Sequence, residues 1–392
     1  MATSVDVRES VRATVYLDHG ATSWPKPQSV IDAVTQALAE LGGAAGRGTY
    51  AMALESSRTV VRARRSCAAL LGVADPRDLL FQPGCTVACN LMLKGLIGPG
   101  ERVVVSSVEH NAVVRPLAHL ERRGAVVDMV RADGDGVIAL EDVERSVRAA
   151  PTRAVVCTHA SNVTGAVQPI SDLSRIAHEH GALMLVDGAQ AAGHLDVDLA
   201  DLGADAYAVS GHKALLGPPG IGLLYLAPHL DAEPFVDGGT GGDSASTAMP
   251  SERPDRYEAG TANLPGIAGL SAGIAVIAAE GGALRRTDAA LISMLHEGIL
   301  AIPGFRVLGP PPGVPRVPVL SAVHERVPPD RIASVLDRTY GIAARAGLHC
   351  APWAHETLGT LGCGAVRFGV GWGNTEEHVG LVLASLREIV RR

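Results

Sequence analysis

The stretch Ala206-Tyr207-Ala208-Val209-Ser210-Gly211-His212-Lys213 carries an apolar run straight into a lysine, and the turn Gly217-Pro218-Pro219-Gly220 follows it. Just upstream, the run Ala182-Leu183-Met184-Leu185-Val186 ends in Asp187-Gly188-Ala189-Gln190. A charged group at the end of a buried strand is costly unless something pairs with it, so both positions ask for an explanation. Working outward, further strand-length runs stand at Leu79–Phe81, Arg102–Ser106, Ala125–Val130, Ala154–Thr158 and Ile221–Leu226. Most are too continuous for half-exposed strands and suit a sheet covered on both faces. Helical patterns lie between them, over 111–123, 140–150 and 172–180. This alternation predicts an α/β fold with a mainly parallel, doubly wound sheet, whose ligands bind at the carboxyl ends of the strands. Glu109-His110, Asn162, Asp187 and Ser210–Lys213 all fall at or just after such ends.

The chain has 392 residues, 47% of them hydrophobic, which is enough for a large and a small domain. The expected boundaries are 14–285 for a large domain and 286–392 for a small C-terminal α/β domain, with residues 1–13 packed on the latter. Residues 231–265 read as a hinge-like loop. Helices are expected over 265–282 and 284–301. A net charge of −7 excludes a basic nucleic-acid or membrane-surface binder. The stretch Leu264–Ala279 is too short and interrupted to span a bilayer and reads as a buried helix. The N-terminus has no signal-peptide pattern. Six cysteines without a disulfide spacing fit a cytoplasmic protein with reduced thiols. Cys85 and Cys89 are four apart, but with no further His or Cys nearby no metal site is expected.

The lysine and the acid together fit a Schiff base to pyridoxal phosphate, with Lys213 on the aldehyde carbon and Asp187 keeping the pyridine nitrogen protonated. Gly84-Cys85-Thr86 opens a helix after a strand, and its free N–H groups with the Thr86 hydroxyl would cup a phosphate. Ser210 and His212 could add donors. His110 is placed to lie over an aromatic ring, and Asn162 and Gln190 could bond a phenolic oxygen. Taken singly, each has an ordinary structural reading: a Lys–Asp pair, a helix cap at Asp187, a turn residue at Asn162. A second group stands near the C-terminus, Arg345-Ala346-Gly347-Leu348-His349-Cys350-Ala351-Pro352-Trp353-Ala354-His355. Neighbouring His and Arg can raise a thiolate fraction. Arg367, inside the apolar run Val366-Arg367-Phe368, wants a carboxylate, from a substrate or from a structural salt bridge.

Together these residues resemble the class V, fold-type I pyridoxal-phosphate enzymes, and most closely the cysteine desulfurases. The likeness runs from Tyr16-Leu17-Asp18-His19-Gly20-Ala21-Thr22-Ser23 to Asn374-Thr375-Glu376-Glu377. Asp187–Gln190 and Ser210–Lys213 point to the class, and Gly347–Ala351 to the desulfurases. The resemblance implies that Lys213 forms the Schiff base, Asp187 pairs with the pyridinium, His110 stacks on the ring, and Asn162 and Gln190 bond the phenolic oxygen. Thr86, Ser210 and His212 would hold the phosphate, Cys85 standing where the family has a hydroxyl. Thr261, in Glu258-Ala259-Gly260-Thr261, would reach the phosphate of a dimer partner. Arg367 would bind the substrate carboxylate, with Arg47 and His19 near the entrance. Cys350 would take sulfur from L-cysteine as a persulfide, leave L-alanine, and pass the sulfur to an acceptor protein. The short segment around Cys350 resembles the group II (SufS-like) desulfurases, although Leu348 stands where these often carry a second His.

Competing readings use the same residues. A selenocysteine lyase or cysteine/cystine C–S lyase would share the cofactor site and not need Cys350. A non-catalytic scaffold would need none of Lys213, Asp187 and Cys350. A dinucleotide-binding oxidoreductase would need a Gly-x-Gly-x-x-Gly turn after the first strand, which the sequence lacks.

Overall fold

A computed structural model describes residues 15–242 and 245–391; the expected packing of residues 1–13 lies outside the described residues. The centre is a seven-stranded sheet in the order β2-β8-β7-β6-β5-β3-β4, with β2 Leu79–Gln82, β3 Arg102–Ser106, β4 Val126–Val130, β5 Ala154–Thr158, β6 Leu183–Asp187, β7 Ala206–Ser210 and β8 Gly222–Leu226. Side-chain alternation builds one core on each face. Val155, Cys157, Met184, Val186, Tyr207 and Val209 point into one, and Ala154, Val156, Leu185, Ala206 and Ala208 into the other. The first core is closed by helices α2 Ala51–Leu70, α5 Leu140–Ala149, α6 Ile170–Glu179 and the start of α8 Leu264–Leu300; the second by α3 Cys85–Leu96 and α4 Asn111–Glu121.

Strands β4, β3, β5, β6 and β7 run parallel, whereas β8 is antiparallel to both β7 and β2. The reversal follows from the connection: the eleven residues between Ser210 and Gly222 contain no helix, and a parallel return needs a crossover of a dozen residues or more. The carboxyl ends Gln82, Ser106, Thr158, Asp187 and Ser210 therefore share one edge. The chain leaves β2 through Gly84, at φ 153° and ψ 171°, a conformation open mainly to glycine, and starts α3 on that same edge.

Helix α8 is continuous over 37 residues, about 55 Å, where two helices are expected. Each of Gly281 and Gly282 costs roughly 1 kcal/mol in a helix interior. The helix stays whole because its two ends are anchored in different cores: Ile267, Leu270 and Ile274 pack on the large sheet, and Leu291, Ile292, Leu295 and Ile299 in a third core. By length and composition alone α8 could cross a membrane; in the fold its buried face joins these two cores, and it packs on α1 Gln28–Glu40 and α2. It also runs unbroken through the expected domain boundary at 285. The third core lies on an antiparallel sheet, β12-β13-β10-β9 (Arg345–Gly347, Ala365–Gly369, Val319–His324, Phe305–Leu308), with α9 Pro329–Tyr340 and α11 Glu376–Arg391 against it. Strand β1 (Val15–Tyr16) pairs in parallel with β11 (Ile342–Ala343), so the beginning of the described chain is tied to this smaller unit.

Candidate active site

Asp187 ends β6 and is 3% exposed. Its Oδ1 accepts from the Ala189 N–H at 2.9 Å and from the Cys85 thiol at 3.4 Å. The Cys85 side chain is thus turned to the acid and, at 3.9 Å, to the Cys89 sulfur; Thr86, the next residue of α3, is exposed. The three side chains Cys85, Cys89 and Asp187 could together offer ligand atoms to a cation, a grouping that sequence spacing does not show. Both thiols are held protonated, Cys89 by its bond with Cys85 and then by burial. Lys213 sits three residues past β7. Burial pushes its ammonium down, opposed by Asp187 and Cys85 and reinforced by Arg367.

His110 caps α4: its Nδ1 accepts the Ala112 N–H at 2.9 Å, which leaves the proton on Nε2. Burial lowers its pKa to about 4, so the ring is neutral. Beside it, Glu109 is fully buried, accepts from the Ser106 hydroxyl and the Thr158 N–H, and is pushed up to about 8, chiefly by burial. Gln190 donates to the Gly20 carbonyl at 2.8 Å and keeps its Oε1 buried without a partner. His212 bonds the Thr22 hydroxyl through Nδ1 at 3.0 Å, and its carbonyl accepts from Lys26 Nζ at 2.9 Å. Ser210, at the end of β7, is 3% exposed.

Arg367 projects from the middle of β13 and is 1% exposed. Its Nη2 pairs with Asp18 Oδ1 at 2.6 Å, its Nη1 donates to the Asn162 carbonyl at 3.2 Å, and its Nε has no partner. The structural ion pair foreseen as an alternative is present, and a carboxylate ligand would have to share the guanidinium with Asp18.

The Cys350 loop reaches back to the large sheet. Asn162 Nδ2 donates to the His349 carbonyl at 2.7 Å, and the Asn111 N–H, first of α4, donates to the Cys350 carbonyl at 2.7 Å. His349 and Cys350 are both left-handed, at φ 50° and 58°, a conformation that costs roughly 1–3 kcal/mol per non-glycine residue and persists only where the surroundings impose it. The two donors supply that constraint. Cys350 is exposed, and Arg345 Nη2 lies 3.9 Å from its sulfur. The nearby histidines are not cationic: burial lowers His349 to about 3 and His355 to about 4. Arg345 is the charge at the thiol.

Of the remaining predicted residues, Arg47 and Thr261 lie elsewhere, and His19 borders a small cavity that Lys213 also lines. Arg47 donates from Nη2 to the Gly239 and Gly260 carbonyls at 2.7 and 2.9 Å, tying the glycine-rich loop to the Thr261 segment. Thr261 is exposed on the wall of an open cavity of about 810 Å³. His19 is 3% exposed, edge-on to Tyr16 at 5.1 Å and enclosed rather than at an open entrance. Sequence reasoning assigned no role to Glu109, Lys26 or the Asp18 pairing. Glu109 adjoins His110 at a strand end and could have been found by that position; the other two arise from long-range contacts.

Residues 15–382 match the aminotransferase class-V family. The chain belongs to that family, among its cysteine desulfurases. It is 36% identical to a probable cysteine desulfurase of Methanothermobacter thermautotrophicus, covering 98% of this chain and 97% of that one. It is 32% identical to a cysteine desulfurase of Escherichia coli, covering 96% and 93%. The structure of the apo cysteine desulfurase from Thermococcus onnurineus superposes with a TM-score of 0.89 at 29% identity, covering 96% of this chain and 95% of that one. Class-V aminotransferases use pyridoxal phosphate. Within the class-V fold seen here, the sheet edge carries Lys213, Asp187 and His110, and the Cys350 loop is bound to the same edge from the smaller unit.

Proposed function

We propose that this chain is a pyridoxal-phosphate-dependent cysteine desulfurase, taking sulfur from L-cysteine onto Cys350, releasing L-alanine, and handing the sulfur to an acceptor protein. The observation that carries the reading is the pair of hydrogen bonds from Asn111 and Asn162, which hold a strained, exposed cysteine against the strand ends that bear Lys213 and Asp187.

The donor set fits the cofactor. A buried carboxylate and a deprotonation-prone lysine stand on one edge, the Gln190 amide nitrogen has a second N–H beyond its bond to the Gly20 carbonyl, and α3 starts there with free N–H groups and an exposed Thr86 hydroxyl. Lys213 would hold the aldehyde carbon, Asp187 the pyridine nitrogen, and Thr86, Ser210 and His212 the phosphate. When bound, the cofactor supplies an electron sink for the bonds around the substrate's α-carbon.

The chain's own residues do the rest. Lys213, made a weaker base by burial, holds and returns the proton at Nζ. Neutral His110, its Nδ1 occupied by the Ala112 N–H, acts as a hydrogen-bond donor through Nε2. Arg367 binds the substrate carboxylate through the edge that Asp18 leaves open. Cys350 Sγ gives up its proton and attacks the substrate sulfur; the S–S bond forms as the substrate's Cβ–S bond breaks, the electron pair stays on the carbon that takes a proton to become the alanine methyl, and Arg345 stands beside the sulfur. Two copies would assemble so that Thr261 closes the partner's phosphate site; the open cavity at Thr261, with Arg64 and Arg65 on its wall, and the exposed Trp24, Tyr50, Met52 and Leu54 support that arrangement.

The test is to incubate the cofactor-loaded protein with L-cysteine and a reductant, beside Cys350→Ala, and to quantify alanine and sulfide. Equal alanine and sulfide from the wild type, lost in the variant, is the expected result. Equal activity in both would make Cys350 dispensable and the enzyme a C–S lyase, and pyruvate in place of alanine would mean β-elimination.

A further inference from the structure

Lys213 also lines a second, smaller space. A cavity of about 20 Å³ lies among His19, His194, Lys213, Arg285, Asp288 and Trp372, behind the strand edge and under α8. Some of its polar groups lack a hydrogen bond. His194 Nδ1 and Asp288 Oδ2 are 3.8 Å apart, too far for a hydrogen bond, with side chains only 9% and 12% exposed. His19 Nε2 is buried without any partner. A cavity of this size holds about one water where two to four polar groups surround it, and His19 Nε2, His194 Nδ1 and Asp288 Oδ2 supply three on an otherwise largely apolar wall. Leaving these buried atoms dry would cost each its desolvation penalty.

We propose that a water held by His19, His194 and Asp288 links Lys213 to Asp288, making Asp288 the reservoir into which Lys213 unloads its proton and from which it recovers it. The inference rests on the reading of Lys213 given above. Asp288 acts only through Lys213, as a positioning residue. In the step, an N–H bond of the Lys213 ammonium breaks as the water gains that proton, and the water's own proton forms the O–H bond on Asp288. Ammonium and carboxylate become amine and carboxylic acid, with no change of oxidation state.

The groups facing Asp288 are set for this. His194 is neutral, lowered to about 3 by burial, with His19 and Lys213 adding to it. His19 is neutral at about 4, through burial and the charge of Lys26. Both rings can hold water without competing for the proton. Arg285, the other cation on the wall, leans toward Asp196 at 3.9 Å. Asp288 itself is raised by burial to about 7, so it can change state at neutral pH while the rings around it do not.

The experiment uses the full chain loaded with pyridoxal phosphate, as wild type, Asp288→Asn, Asp288→Ser and Asp288→Glu. Cofactor affinity, the pH midpoint of the visible cofactor band, and the pH profile of kcat for alanine formation are measured. In the wild type, kcat rises through about pH 7 as Asp288 ionises. Removing the carboxylate takes an anion away from the protonated lysine nitrogen, so the band midpoint falls by roughly one unit in Asn and Ser. The kcat limb near neutrality disappears in both, Glu restores both features, and cofactor affinity stays within about threefold. Asn is isosteric and removes a buried charge, and Ser leaves room for water, so failure of one variant to fold leaves the other. An unmoved midpoint with an unchanged kcat limb, in an Asn or Ser variant that binds cofactor normally, would overturn the proposal. A wild type that forms no visible band and no borohydride-trapped adduct at Lys213 would instead remove the underlying reading, and the proposal with it.

Discussion

The substitution Asn111→Pro isolates the contact between the two halves of the site. Asn111 is the first residue of α4, its N–H has no partner inside the helix, and it donates to the Cys350 carbonyl at 2.7 Å. Proline is well tolerated at a first helical position, and the preceding residue, His110, has φ −76° and ψ 156°, the conformation proline demands of its neighbour. The change therefore deletes one hydrogen bond with little other disturbance. Cys350 is exposed, so its freed carbonyl can turn to water, and the net loss is that of an ordinary hydrogen bond, about 0.5–1.5 kcal/mol. Global stability changes little, because proline also stiffens the unfolded chain by roughly 0.4–1 kcal/mol. The loss falls on the left-handed pair His349 and Cys350, which relaxes away from the strand edge. At 1.4 kcal/mol per tenfold, the docking equilibrium constant falls about 2- to 13-fold, and the rate of alanine formation falls by up to that factor. The assay is single-turnover alanine release from cofactor-loaded protein, with the thermal midpoint and visible band as controls. A wild-type rate would refute the reasoning, and so would a slowed rate that tracks lost cofactor.

Two further changes test the sheet edge. Glu109 is buried with a pKa of about 8 against an ordinary value of 4.5, so between these values the folded chain holds a proton that the unfolded chain has released. Stability then declines as pH rises from about 5 to 8, and Glu109→Gln flattens that decline; identical slopes of thermal midpoint against pH would contradict it. A Cβ added at Gly188 would stand 2.0 Å from the Tyr207 ring, whose hydroxyl bonds His159 at 2.8 Å. Gly188→Ala therefore displaces a fully buried side chain beside Asp187, at roughly 1–3 kcal/mol; calorimetry that finds the midpoint unmoved would show that the ring yields freely.

Much of the fold follows from local pattern. Continuous apolar runs such as Ala154–Thr158 and Ala206–Ser210 mark strands covered on both faces, and charged residues at their ends, Asp187 and Lys213, mark the edge where a site belongs. Such signals survive because burial of a strand face is decided within five residues. The antiparallel β8 was nearly legible too, since its connection has no room for a crossover helix. The unbroken α8 was not. Two adjacent glycines read as a break, and only packing of its ends into separate cores overrides that preference.

Residue types at the site came from the sequence; their partners came from the tertiary structure. Arg367 inside an apolar run announced a need for an anion, but that Asp18, 349 residues earlier, supplies one is settled by strand β13 meeting the chain beyond β1. Cys85 stood plausibly in a phosphate cup, yet the start of α3 aims its thiol at Asp187. Cys350 was recognisable by its neighbours, while its left-handed backbone and the donors that impose it arise across more than 180 residues of sequence. The physical reason is the same in each case. Periodicity and propensity report how one residue sits relative to solvent. A hydrogen bond or an ion pair depends on distance and direction between two residues, and those exist only once the chain has packed.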